Sequence, residues 1–124
     1  MAKLFLVGFG GFAGTLFRYW LSGFFARRYG ETFPLGTLVV NAIGCFLIGF
    51  LFYFFYDRSL ASPTTRTVVL IGLLGGFTTF SSYGLQTFTL LRDGELFLAL
   101  VNIVASNVLG LALVWLGYVL AKAI

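Results

Sequence analysis

The residues most able to do chemistry lie in one stretch, from Gly72 to Gly84, where glycines are followed by hydroxyl side chains. The stretch contains three glycines within five residues and then four hydroxyl residues: Gly72, Gly75, Gly76, Thr78, Thr79, Ser81 and Ser82. Each glycine weakens a helix by on the order of 1 kcal/mol relative to alanine. Each hydroxyl competes for backbone hydrogen bonds. We therefore predict a broken helix at this point.

A helix break within a membrane would free backbone carbonyl and amide groups that lipid cannot satisfy. The break would then have to face protein, water or an ion, and discontinuous helices are a recurring way to build ion sites near the bilayer midplane. The alternative interpretation is a kinked helix whose freed groups bond to its own serine and threonine side chains.

Two other segments carry polar groups on one helical face. Thr37 and Asn41 are four residues apart, so they share a face. Asn41 could donate its amide hydrogens to an anion or pin two helices together. Asn102, Ser106 and Gly110 repeat every four residues and form a stripe that could line a file of water or a helix interface.

These groups favour an anion over a cation. All four acidic residues lie in predicted loops or at predicted helix ends: Glu31, Asp57, Asp93 and Glu95. Arg18 near one mouth would attract anions, and phenylalanine rings turned inward would present their positive edges. Proton-coupled exporters usually need a membrane-embedded carboxylate, and none is predicted here.

The composition requires lipid around these elements. The chain is 124 residues long and 60% hydrophobic, with only eight basic and four acidic residues. A soluble domain of this size would need more charge to cover its surface. Windows of about 20 residues, the length that spans a bilayer, predict an all-α membrane protein. We expect a single transmembrane domain, 1–124, with helices at approximately 3–26, 35–56, 67–91 and 96–121.

Several functional classes are disfavoured. The chain has one cysteine, Cys45, and no histidine, so no zinc site, intrachain disulfide or histidine-based triad can form. We predict no enzyme activity, and the scattered basic residues predict no nucleic-acid binding. The glycines of 8–14 resemble a dinucleotide-binding loop, but no soluble α/β context accompanies them. Gly10 and Gly14 are better explained as a close helix contact.

The distribution of basic residues predicts little orientation bias. One side of the four-helix topology carries Lys3, Arg58, Arg66 and Lys122, and the other carries Arg27, Arg28, Arg92 and Arg18. By the positive-inside rule, such a chain could insert in both orientations, although a weakly biased chain with one fixed orientation is an equal alternative. Because four helices are too few to enclose a polar pathway, we expect a homodimer.

The ordered set of motifs resembles the Fluc/CrcB fluoride channels. The resemblance rests on 75–82 (GGFTTFSS), Arg18 after a glycine-rich first helix, 36–44 (GTLVVNAIG) and the Asn102/Ser106/Gly110 stripe, and it covers essentially the whole chain. It implies an antiparallel, dual-topology homodimer with a broken third helix. This dimer would be a passive, fluoride-selective channel in the cell (inner or plasma) membrane of a prokaryote, where it lets cytoplasmic fluoride escape.

The resemblance also implies residue roles. Backbone carbonyls of Gly75 and Thr78 from both subunits would hold a structural Na⁺ on the dimer axis. The fluoride pathway would comprise Phe80, Tyr83, Asn41, Ser106, Thr37, Asn102 and Arg18. Three positions depart from the family pattern: Tyr83 replaces a phenylalanine, Gln86 a frequent glutamate, and Asn102 a tyrosine of some members.

Two other functions compete with a channel. Small four-helix, dual-topology drug or cation exporters have a similar size, but they depend on a glutamate in the first helix that this chain lacks. A non-transporting membrane subunit is opposed only by the polar break and the family resemblance.

Overall fold

The computed structural model describes residues 1–124, and its ordered elements are all helical. The prediction of four long apolar helices is confirmed, because four helices are long and apolar enough to cross a membrane. We name the helices α1 (Ala2–Tyr29), α2 (Leu35–Asp57), α3 (63–77), α4 (Phe80–Arg92) and α5 (Leu96–Ala123). Helices α3 and α4 together make up the third apolar segment, Pro63–Arg92.

The third segment begins four residues earlier than the predicted residue 67. Pro63 occupies the first helical turn, and the Ser62 hydroxyl accepts a hydrogen bond from the Thr65 amide at 3.1 Å. This is an ordinary N-cap with proline just inside the helix. A hydropathy window overlooks this start because the first turn of the helix is polar.

Helix α1 packs against α3 through glycines, as the spacing of Gly10 and Gly14 predicted. A Cβ atom added at Gly14 would clash with the Leu73 carbonyl and lie 2.7 Å from the Phe77 amide nitrogen. On the opposite helix, a Cβ at Gly76 would lie 3.0 Å from the Gly11 Cα. The two backbones are therefore close enough that side chains on either would separate them.

Helices α2 and α5 form the second close pair. A Cβ at Gly49 would lie 2.9 Å from the Val114 Cα, and one at Gly117 would lie 2.9 Å from the Phe50 amide nitrogen. Helix α4 leans on α5, and α2 contacts α1. The junction of α3 with α4 lies between α1 and α2, and the two glycine interfaces hold it there.

Candidate functional site

The backbone leaves the helical conformation between α3 and α4. Thr78 has φ −83° and ψ 160°, and Thr79 has φ −151° and ψ 120°, so both residues are extended. The Thr79 hydroxyl accepts a hydrogen bond from the Ser82 amide at 3.1 Å and thereby caps the start of α4. Threonine side chains thus satisfy part of the backbone at the junction, as helix caps do.

Asn41 of α2 binds the same junction in both directions. Its Nδ2 donates to the Thr79 carbonyl at 2.9 Å, and its Oδ1 accepts from the Thr79 amide at 2.8 Å. Of the two roles left open by the sequence, the structure shows that Asn41 pins two segments together. Since an amide nitrogen carries two hydrogens, one remains for a further acceptor.

These side-chain bonds release two backbone carbonyls. In a continuous helix, the Thr79 amide would donate to the Gly75 carbonyl and the Ser82 amide to the Thr78 carbonyl. Here the two amides donate to Asn41 and to the Thr79 hydroxyl instead. The Thr78 carbonyl accepts only a long hydrogen bond, 3.5 Å, from Nη1 of Arg18. Both carbonyls therefore keep free acceptor capacity.

A cavity of ≈ 350 Å³ opens beside the junction. We call it the aromatic cavity, and its lining includes Asn41, Thr79, Phe80, Tyr83, Ser106 and Asn107. No charged side chain lines it. The rings of Phe80 and Tyr83 have centroids 5.4 Å apart and planes inclined by 48°. The cavity thus combines hydroxyl and amide groups with two aromatic rings.

A second, larger cavity of ≈ 580 Å³ lies on the other side of Thr79. We call it the arginine cavity, and its lining includes Arg18, Glu31, Thr37, Thr79, Ser82 and Gln86. Because Thr79 lines both spaces, the two cavities adjoin at the end of α3. Arg18 makes the electrostatic potential of the arginine cavity more positive. Glu31, which also lines this cavity, lies on the exposed loop between α1 and α2.

The residues predicted to form one pathway are divided between these cavities. Asn41, Phe80, Tyr83 and Ser106 line the aromatic cavity, and Arg18 and Thr37 line the arginine cavity. Asn102 lines neither, because it is 2% exposed and donates from Nδ2 to the Thr87 hydroxyl at 2.9 Å.

The polar stripe of α5 forms mainly a helix contact. The Ser106 hydroxyl donates to Oδ1 of Asn102 at 3.5 Å, while a Cβ at Gly110 would lie 3.4 Å from the Cys45 sulfur. Only Ser106 of this stripe lines the aromatic cavity. Asn102 therefore contributes by holding Ser106 and Thr87.

Sequence reasoning did not assign site roles to Thr79, Ser82 and Gln86. Thr79 caps α4 and lies between the cavities, and Ser82 lines the arginine cavity beside Gln86. The cap of α4 does have a signal in the sequence. Threonine is a favoured N-cap residue, and Thr79 stands three residues before Ser82 at the start of the helix. The Oε1 atom of Gln86 is buried without a hydrogen-bond partner, and no sequence pattern signals that.

Together these features define a multi-pass membrane protein whose interrupted third segment separates two polar cavities. Residues 5–118 match the family described as "CrcB-like protein, Camphor Resistance (CrcB)". The chain is 50% identical to the fluoride-specific ion channel FluC of Opitutus terrae over 123 residues, 98% of this chain and 93% of that protein. It is 44% identical to the protein of the same name from Citrifermentans bemidjiense and 41% identical to that from Aquifex aeolicus, each over 100% of both chains.

The chain therefore belongs to the CrcB family. The matched range includes every residue that lines the two cavities.

Proposed function

We propose that this protein is a passive, fluoride-selective channel that lets cytoplasmic fluoride leave a prokaryotic cell across its inner (plasma) membrane. Family membership and relatives named as fluoride-specific ion channels support the ion. The observation that carries the mechanism is the junction at Thr79, where an uncharged cavity lined by donors meets a cavity containing Arg18. Fluoride would pass between the two spaces at this residue.

The polar groups suit a small, strongly hydrated anion. The remaining Asn41 hydrogen and the Ser106 hydroxyl can replace water around fluoride, and the Phe80 ring can present its positive edge. A selective pore must offer enough donors to compensate dehydration while remaining too narrow for larger ions. Arg18 and Thr37 would receive the ion at the wider, wetter end of the route.

The route is passive because the membrane interior offers no proton carrier. The four acidic residues are all exposed and lie in loops or at helix ends: Glu31, Asp57, Asp93 and Glu95. A proton-coupled exporter usually binds its proton on a buried carboxylate. Fluoride would therefore move down its own electrochemical gradient, which is outward whenever the cytoplasm accumulates the ion.

We infer that the working unit is an antiparallel homodimer. Phe80 is 83% exposed in the single chain although its neighbours line the aromatic cavity, and Asn107 of that cavity is also exposed. Polar groups in contact with lipid are costly, so this side requires a protein cover. A second copy in the opposite orientation fits the evenly divided basic residues.

The freed carbonyls of Gly75 and Thr78 fit a structural Na⁺ shared by the two copies. Unwound backbone carbonyls are common Na⁺ ligands in membrane proteins, and each subunit offers two at the junction. When bound, Na⁺ would supply positive charge that joins the two interrupted segments. The chain itself prepares the site, because Asn41 and Thr79 take the amides that would otherwise occupy these carbonyls.

Fluoride efflux from liposomes tests the function. Purified protein in liposomes loaded with potassium fluoride should release fluoride once valinomycin lets potassium follow. We expect release well above that of protein-free liposomes, and no comparable release of chloride from liposomes loaded with potassium chloride. Absence of fluoride release by folded protein would contradict the channel, and equal chloride release would contradict its selectivity.

A further inference from the structure

The Tyr83 hydroxyl occupies a defined place in the aromatic cavity. Nδ2 of Asn107 donates to this hydroxyl at 3.4 Å and to the Ile103 carbonyl, one turn earlier on α5, at 2.8 Å. Each of the two amide hydrogens of Asn107 thus has an acceptor. The Ile103 bond fixes the amide on its helix, so that its second hydrogen is aimed at the phenol oxygen of Tyr83.

This arrangement sets the direction of the Tyr83 hydroxyl group. A phenol oxygen that accepts from Asn107 still carries its own hydrogen, and that hydrogen has no acceptor in the chain. Tyr83 lines the aromatic cavity together with Asn41, Phe80 and Ser106. An unused O–H donor therefore belongs to the same space as the other donors.

We propose that the Tyr83 hydroxyl donates a hydrogen bond to the permeating fluoride and that Asn107 is the positioning residue that keeps it in the donor orientation. The inference rests on the proposed fluoride channel and adds a donor to it. Hydrogen bonds from hydroxyl groups to an ionised acceptor are short and about twice as strong as neutral ones. A fixed donor at short range favours a small anion over a larger one, because the larger anion cannot approach its other ligands equally closely.

The test compares fluoride and chloride release by liposomes containing wild-type protein, Tyr83→Phe, Asn107→Leu or the double variant. Tyr83→Phe keeps the ring and removes only the hydroxyl. We expect it to lower the ratio of fluoride to chloride flux by about tenfold, the effect of one charged hydrogen bond. Asn107→Leu should lower the ratio in the same direction, and the double variant should show no further loss.

Tyr118→Phe is the matched control, since it removes a tyrosine hydroxyl that bonds to Asp57 and lines neither cavity. It should keep the wild-type flux ratio. Size-exclusion chromatography verifies the dimer for each variant, and Asn107→Ala replaces Asn107→Leu if the latter does not assemble.

The possible outcomes distinguish a failure of this inference from a failure of the proposed channel function on which it rests. Wild-type fluoride release with an unchanged ratio in Tyr83→Phe overturns the hydroxyl donor and leaves the channel intact. Additive losses in the double variant overturn the positioning role of Asn107. Absence of fluoride release by the folded wild-type protein contradicts the proposed function itself.

Discussion

The two sides of the interrupted third segment differ in how complete they are within one chain. Towards α1, α3 is in backbone contact, and Gly14 and Gly76 leave no room for another atom. Towards the aromatic cavity, Phe80 is 83% exposed. Packing within the chain covers the first side, which we call the closed side. On the second side, which we call the open side, the donors and rings have no protein opposite them. In the proposed dimer, a single chain therefore supplies one side of each pathway.

Substitution at the closed side should have the largest effect. We expect Gly14→Ala to destabilise the protein by more than about 3 kcal/mol, because the added methyl group meets backbone atoms that cannot rotate away. The measurement is the yield and melting temperature of monodisperse protein in detergent. Gly8→Ala is the matched control in the same helix, since its Cβ would meet nothing within 4 Å. Equal behaviour of both variants would contradict the close contact of α1 with α3.

Removing the Asn41 clamp should affect both stability and transport. Asn41→Leu leaves the amide and carbonyl of Thr79 without their partners, at a cost of about 1–3 kcal/mol for each buried group. We expect a lower melting temperature and loss of most fluoride flux. A stable, fully conducting Asn41→Leu would show that the clamp is dispensable.

The open side should tolerate change in the fold but not in transport. We expect Phe80→Ile to assemble normally and to slow fluoride flux by about tenfold, which corresponds to ~1.4 kcal/mol. The reason is that isoleucine has no positive ring edge. Phe97→Ile is the control, because Phe97 is 75% exposed on α5 and lines neither cavity. Unchanged flux in Phe80→Ile would remove Phe80 from the pathway.

The smallest effect is expected far from both sides. Tyr118 donates to Oδ2 of Asp57 at 2.6 Å, and this bond ties the end of α2 to α5 at an exposed site. Tyr118→Phe should lower the melting temperature only slightly, with fluoride flux unchanged. A thermal melt and the liposome assay measure the two quantities. Altered flux in this variant would mean that the pathway extends beyond the two cavities.

Much of the fold could be predicted because its determinants are local. Apolar segments of spanning length predicted four helices, and the spacing of Gly10 and Gly14 predicted a close helix contact, whose partner the structure identifies as α3. The predicted start of α3 lies four residues after its observed start at Pro63, because the serine cap and the polar first turn have low hydropathy. The π-helical turns at Tyr53–Asp57 and Thr67–Leu74 have no recognisable signal in the sequence.

The candidate site was only partly predictable because it joins residues distant along the chain. Local composition indicated a weak helix at 72–84 and polar faces on α2 and α5. It could not decide that Asn41 binds Thr79, 38 residues away, or that Asn102 turns to Thr87 instead of a cavity. Those choices depend on how α2, α4 and α5 pack, and packing is a property of the whole fold.

The most direct test asks whether the chain inserts in both orientations, as an antiparallel dimer requires. A single cysteine is placed at Leu60 or at Thr32, exposed residues of the loops at opposite ends of α2, in a Cys45→Ala background. Intact spheroplasts of expressing cells are then treated with a membrane-impermeant maleimide. We predict that about half of the protein reacts at either residue, as equal insertion in both orientations requires. Complete reaction at one residue and none at the other would contradict the antiparallel dimer.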